Sequence, residues 1–172
     1  NLKEKGVASA DLHPIKPGDE IAVGPFTLGF IRVNHSIADA VAIYMRTPVG
    51  IVLHTGDYKI DHTPVDGQVT GFNKFAELGD EGVLVMLSDS TNAERPGFTK
   101  SERSVGAAFD ERFRAAPNRI IIASFSSNVH RLQQAIDAAY KYVRKVAVVG
   151  RSMVNVVGIA KELGYLKIAD GL

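Results

Sequence analysis

Between Ile21 and His54 the chain alternates short apolar runs with polar turns. "KPGD" precedes a run at Ile21–Val23, and "GP" separates that run from a longer one at Phe26–Val33. Apolar runs of this length, bounded by Gly, Pro and Asp, predict strands joined by turns. Ala40–Arg46 and Ile51–His54 flank "TPVG" and predict an antiparallel hairpin. After "DGQVTGFNKFAELGDEG", to which no element is assigned, the segment "VLVMLSDSTNAERPG" opens with a near-continuous apolar run. Such a run predicts a strand buried on both faces.

From Phe98 the pattern changes to a longer period. Thr99 with Glu102 three residues on reads as an N-cap and its capping partner, Val105, Phe109 and Phe113 form an apolar stripe, and Pro117 stops the helix. "RIIIASF" then predicts a strand, "SSNVHRLQQAIDAAYKYV" a helix, "KVAVVG" a strand, and "RSMVNVVGIAKELG" a helix closed by Gly164. Strand, helix, strand, helix predicts a right-handed parallel unit, so the fold class is α/β. No internal repeat or low-complexity tract interrupts the pattern.

Composition narrows the classes. At 172 residues and 45% hydrophobic content the chain is globular, with about 70% of its unfolded surface buried in a compact fold of this size. The 20 Lys and Arg balance 19 Asp and Glu, so no overall basic field holds a polyanion, and nucleic-acid binding requires a local site. The sequence holds neither an apolar run of about 18 residues nor a secretion leader, which makes a cytoplasmic location the expectation and a membrane partner unexpected. With no cysteine and five histidines, the chain has no disulfide or thiolate metal site, and His, Asp and Glu are its only strong ligands.

Those ligands draw attention to strand ends. Pairing the hairpin about "PV" sets residue 57 opposite residue 40, and His35 precedes that point by five residues, so His35 and Asp57 belong at one end of the sheet. A neutral imidazole and a carboxylate converging there are suitable members of a metal shell, with zinc contacts of about 2.0–2.2 Å. Spacing alone favours a simpler reading, in which His35 fills a turn and Asp57 bonds its own backbone in "TGD". Asp89, in "LSDST", is equally readable as a turn cap or as an acid beside such a site. His54 adjoins "TGD", but as a strand neighbour it points to the other face and is read as structural.

The stretches "RVNHSIADA", "HTGDYKID", "LSDSTNAERPGFTKSE", "ASFSSNVHRLQQAI" and "KVAVVGRSM" resemble the ribonuclease J family, RNA-degrading members of the β-CASP branch of the metallo-β-lactamase superfamily. The resemblance runs through the whole chain in the family's order. It implies a partial αββα sandwich nuclease domain over residues 1–97 and part of a β-CASP domain over 98–172. It further implies two zinc ions and a metal-activated water that attacks an RNA phosphodiester. On the family's motifs His35 is a ligand of one zinc, Asp57 bridges both ions, and Asp89 supports the site by orienting a partner without binding metal.

A second polar cluster lies at Ser126, Ser127 and Asn128, where a strand hands over to a helix. Free N–H groups at a helix N-terminus, with hydroxyl and amide donors beside them, suit an anion, although ordinary N-capping explains the same residues. "GRSM" at Gly150–Met153 repeats the arrangement, and parallel sheets bind ligands beyond the carboxyl ends of their strands. The resemblance implies that this region holds RNA phosphates. His130 is read as a surface residue of the first helical turn.

The sequence departs from the family in lacking the His-x-His-x-Asp-His run that supplies most metal ligands, and the later histidine motifs. It resembles roughly the second third of a family member. Two ligands do not hold a dinuclear zinc centre tightly, so weak zinc binding and no measurable RNA cleavage are expected of this chain alone. Apolar sheet faces left without a covering layer lead to the expectation of self-association or of complementary segments of a parent chain. A phosphate- or nucleotide-binding regulatory module and a non-catalytic interaction domain remain as alternatives. The first is disfavoured by the absence of GxGxxG and GxxxxGK[ST] loops.

Overall fold

A computed structural model describes residue 6 and residues 9–169. Five strands form one sheet in sequence order, β1 (Glu20–Val23), β2 (Phe26–Arg32), β3 (Val41–Thr47), β4 (Gly50–His54) and β5 (Val83–Leu87). The first three pairings are antiparallel and β4–β5 is parallel. The described residues also form four helices, α1 (Phe72–Glu81), α2 (Arg103–Ala115), α3 (Val129–Lys141) and α4 (Arg151–Glu162). The chain is therefore mixed α/β. Among the described residues no helix is long and apolar enough to cross a membrane.

Strand periodicity explains the main core. Ile31 and Val33, Ala42 and Tyr44, and Ile51 and Leu53 each lie two residues apart, so each pair projects to the same sheet face. That face packs on Leu78 and Phe75 of α1. The β3–β4 hairpin pairs Thr47 with Gly50, as the "PV" centre requires, and the Thr47 hydroxyl donates to the Gly50 carbonyl at 2.7 Å. Gly29 is the point where the sheet admits a ring: a Cβ there would lie 2.1 Å from Cζ of Tyr44. The Tyr44 hydroxyl donates to Glu20, with the Arg46 and Lys74 cations 5.6 and 5.4 Å from the ring centroid.

Two further clusters hold the helices. Phe113 of α2 meets Ala138 and Ala139 of α3, and Val129 and Ile136 of α3 meet Ala160 of α4 and Leu166 beyond it. The Asn128 side chain caps α3, accepting from the Arg131 N–H at 3.1 Å.

Four features differ from the sequence reading. Helix α1 occupies a stretch to which that reading assigns no element, its Phe72, Phe75 and Leu78 being spaced by single turns before Gly82 ends it at φ +94°. Strand β5, expected to be buried on both faces, is largely exposed, with Leu84 at 59% and Met86 at 60%. It is an edge strand, and among the described residues only β4 pairs with it. Helix α2 begins at Arg103, well past Thr99, because Ser101 is held to Asp61 and its own hydroxyl accepts the Arg103 N–H at 3.2 Å. The expected parallel strands at 119–125 and 145–149 take no regular secondary structure and form no ladder. They flank a cavity of about 580 Å³ lined by Ile120, Ile122, Leu132, Val146, Val148 and Val157. Their apolar side chains face across this space without backbone pairing, so the helices alone carry the regular structure here.

Candidate metal and phosphate site

Because β3 is antiparallel to both β2 and β4, and β5 is parallel to β4, strands β2, β4 and β5 run in one direction. Their carboxyl ends share one sheet edge. His35 follows β2, Asp57 follows β4 and Asp89 follows β5, so three polar turns emerge side by side.

The His35 Nε2 lies 3.7 Å from Oδ2 of Asp57 and 3.4 Å from the Ser36 hydroxyl. The Asp57 side chain is 77% exposed and His35 is half-buried, so the imidazole is held by the fold while the carboxylate faces an open space. Asp89 has a different environment. Its Oδ1 accepts the Thr91 N–H at 2.8 Å, its Oδ2 accepts the Tyr58 N–H at 3.4 Å, and its own N–H donates to the Thr55 hydroxyl at 3.0 Å. The Thr91 N–H and hydroxyl, with smaller help from the Tyr58 N–H and the nearby His35, hold its carboxyl below the usual range against the opposing effect of desolvation. Asp89 thus caps its own turn and also grips the backbone immediately after Asp57. His54 is exposed, and its Nδ1 accepts the Gly56 N–H at 2.9 Å, which commits that nitrogen to the turn.

Two positions that the sequence reading passed over shape these turns. Thr55 is buried; its hydroxyl accepts the Asp89 N–H and donates to the Gly56 carbonyl at 2.8 Å, joining the β4 and β5 turns. Asn34, also buried, donates through Nδ2 to the Gln68 carbonyl at 2.7 Å and accepts the Thr70 hydroxyl at 3.0 Å. Its carbonyl accepts the Lys59 N–H at 2.8 Å, so it clamps the residue before His35 to the loop after Asp57. The only sequence signal was a polar residue in an otherwise apolar run, which does not reveal a partner 36 residues away.

A zinc ion would find two converging donors here, the His35 imidazole nitrogen and the Asp57 carboxylate. Both are donor types that zinc accepts, and both point at common space. Among the described residues no group of three His, Asp or Glu side chains is placed to hold a metal ion. The arrangement fits part of a coordination shell.

The second cluster also assembles. The Ser126 and Ser152 hydroxyls lie 2.9 Å apart, so the turns leading into α3 and α4 meet. Neither helix carries an acidic residue in its first turn, leaving the positive ends of both dipoles unopposed from within. Ser127 stays partly exposed, whereas Asn128 is buried and its oxygen is committed to capping α3. His130 Nε2 stands 3.8 Å from Oδ2 of Asp66.

Residues 117–172 match the family model described as the β-CASP domain of ribonuclease J. Beyond that domain, the chain resembles ribonuclease J along its full length. It is 49% identical to the Thermus thermophilus protein of that name over 99% of this chain and 30% of the relative. It is 47% identical to the Synechocystis protein over 99% of this chain and 27% of the relative, and 50% identical to the Mycolicibacterium smegmatis protein over 86% and 26%. The chain therefore spans less than a third of the curated relatives it matches. A crystal structure of a protein of unknown function from Enterococcus faecalis shares the fold, with a TM-score of 0.61 at 16% identity over 91% of this chain and 36% of that one.

Proposed function

We propose that this chain is a portion of a zinc-dependent ribonuclease that hydrolyses RNA phosphodiester bonds, with 5′-to-3′ exonuclease or endonuclease action in RNA maturation and decay. The observation that carries this reading is the convergence of His35 and Asp57 at 3.7 Å on the carboxyl edge of the sheet, within a sequence that resembles ribonuclease J throughout. In this reading His35 and Asp57 contribute two ligands, and the others lie outside the described residues. Zinc, when bound, supplies a Lewis acid for phosphodiester hydrolysis. Asp89 orients the backbone at Tyr58 and so the carboxylate of Asp57. The Ser126 and Ser127 hydroxyls hold a phosphate of the RNA, beside the side-chain amide of Asn128, whose backbone N–H donates to the Phe125 carbonyl. Residues 1–97 are assigned to a metallo-β-lactamase-like sandwich and residues 98–172 to a β-CASP domain, in a cytoplasmic protein.

The chain itself provides the test. Titration with zinc alone, followed by the imidazole resonances, is expected to shift His35 with weak affinity, and Asp57→Asn is expected to abolish that shift. An unchanged His35 resonance at millimolar zinc, with other histidines shifting instead, would overturn the assignment of ligands. Tight binding of two zinc ions would show that the chain contains a complete centre.

A further inference from the structure

The turn that carries Asp57 and the helix start that carries Ser126–Asn128 lie in different parts of the chain, and one residue touches the supports of both. Glu102 immediately precedes α2. Its carboxylate accepts Nε of Arg131 at 2.7 Å through one oxygen and Nη2 at 3.0 Å through the other, a two-point grip on α3. Its carbonyl accepts Nε2 of Gln134, one turn further along α3, at 3.2 Å. On the opposite side its N–H donates to Oδ2 of Asp61 at 3.2 Å, and Oε2 stands 3.9 Å from Nζ of Lys59.

Lys59 and Asp61 follow Asp57 by two and four residues. Arg131 is the residue whose N–H the Asn128 side chain caps. Glu102 therefore stands one contact from the loop after Asp57 and one contact from the capped first turn of α3. Its side chain is 16% exposed, so water does little to weaken these bonds. A planar fork on a carboxylate also fixes an angle as well as a distance, which a single lysine contact would not do.

We propose that Glu102 is a positioning residue that sets the distance and orientation between the His35–Asp57 cluster and the Ser126–Ser152 turns. This inference rests on the function proposed above, because it assigns those two ends to metal and phosphate. Between two such ends an RNA strand has a fixed span from the held phosphate to the bond that is cut. Glu102 determines that span, and so determines which phosphodiester along the strand lies at the metal end.

The chain has no native cysteine, so spin labels at introduced cysteines report one distance cleanly. Ile60→Cys and Phe125→Cys place labels at exposed positions beside the two ends. The inter-label distance distribution is expected to be narrow in the otherwise unchanged chain. Glu102→Gln, which keeps the backbone bonds to Asp61 and Gln134, is expected to widen it while helix content by circular dichroism is retained. The exchanged pair Glu102→Arg with Arg131→Glu is expected to restore the narrow distribution. A distribution that stays narrow in Glu102→Gln, or one that the exchanged pair leaves as wide as the single variant, would overturn the proposal. The measurement needs neither zinc nor RNA, so its failure is separable from failure of the ligand assignment, which the zinc titration alone decides.

Discussion

Replacing Asp61 is expected to destabilise the chain more than replacing any exposed acid, although Asp61 touches no part of the proposed reaction. Its residue exposure is 4%, and its carboxylate accepts the Thr63 N–H at 3.0 Å, the Ser101 hydroxyl at 3.0 Å and the Glu102 N–H at 3.2 Å, with Lys59 at 3.6 Å. Hydrogen bonds to a charged acceptor contribute about 1.5–3 kcal/mol each, but bonds to one carboxylate do not add, and removing one member of a buried charged pair costs about 3–5 kcal/mol. Two partners retain other contacts: Ser101 also donates to the Thr63 carbonyl at 2.9 Å, and Lys59 keeps Glu102 at 3.9 Å. The lower end of the range is therefore expected for Asp61→Ala, about 3 kcal/mol. Asp61→Asn, which retains one carbonyl acceptor, should lose about 1–2 kcal/mol.

The pH dependence provides a second reading of the same group. Burial pushes the Asp61 carboxyl up, but the Thr63 N–H, the Ser101 hydroxyl, the Glu102 N–H and the Lys59 ammonium together hold it below its ordinary value. A carboxyl depressed in the folded state stabilises fully above its unfolded value of about 3.9, and that contribution disappears as pH falls through the lower folded value. Urea unfolding followed by far-ultraviolet circular dichroism at neutral pH, repeated on lowering pH, tests both statements. A loss below about 1 kcal/mol for Asp61→Ala, or a gap between the parent and Asp61→Asn that grows on acidification, would refute the reasoning.

Further outcomes follow from other contacts. Gly29→Ala places a methyl 2.1 Å from the Tyr44 ring, which is 2% exposed, and should destabilise by about 1–3 kcal/mol in the same urea assay. Asn34→Ala removes the Gln68 and Thr70 side-chain bonds and should lose about 1–3 kcal/mol. Hydrogen exchange should then quicken at Lys59, whose N–H is bonded to the Asn34 carbonyl, and unchanged protection there would refute the clamp. The exposed apolar strand β5 should make association concentration-dependent in sedimentation, and Leu84→Lys with Met86→Lys should reduce it; a parent chain that stays monomeric at every concentration would contradict this.

Much of the architecture was legible because it is local. The β3–β4 hairpin follows from "TPVG" between two apolar runs, and the bodies of α2, α3 and α4 follow from apolar spacing with stops at Pro117 and Gly164. The hairpin pairing was enough to put positions 35 and 57 at one end of the sheet, whereas position 89 was placed beside them only by the family resemblance, because the parallel pairing of β5 with β4 is not written in either segment. What escaped reading depends on distant partners. The start of α2 depends on Ser101 bonding Asp61, 40 residues earlier, and the roles of Asn34 and Thr55 depend on partners 36 and 34 residues away. A continuous apolar run likewise does not disclose whether its strand is central or at an edge, which is why β5 was expected to be buried. The run in "RIIIASF" predicted a strand that does not form, since a ladder is a property of two segments.

The parallel β4–β5 pairing has a consequence for the order of folding. Strands β1 and β2, and β3 and β4, join through tight turns, and β2 and β3 through residues 33–40, whereas β5 reaches β4 only after the longer connection of residues 55–82 has closed. Closing a long loop requires chain entropy to be lost before its contacts form, so local hairpins precede such pairings. Asp57 lies inside that connection and Asp89 just beyond β5. The meander, with His35 in its β2–β3 connection, can therefore exist while the turns that bear Asp57 and Asp89 are still unformed, and a chain emerging from synthesis would acquire its scaffold before its chemistry.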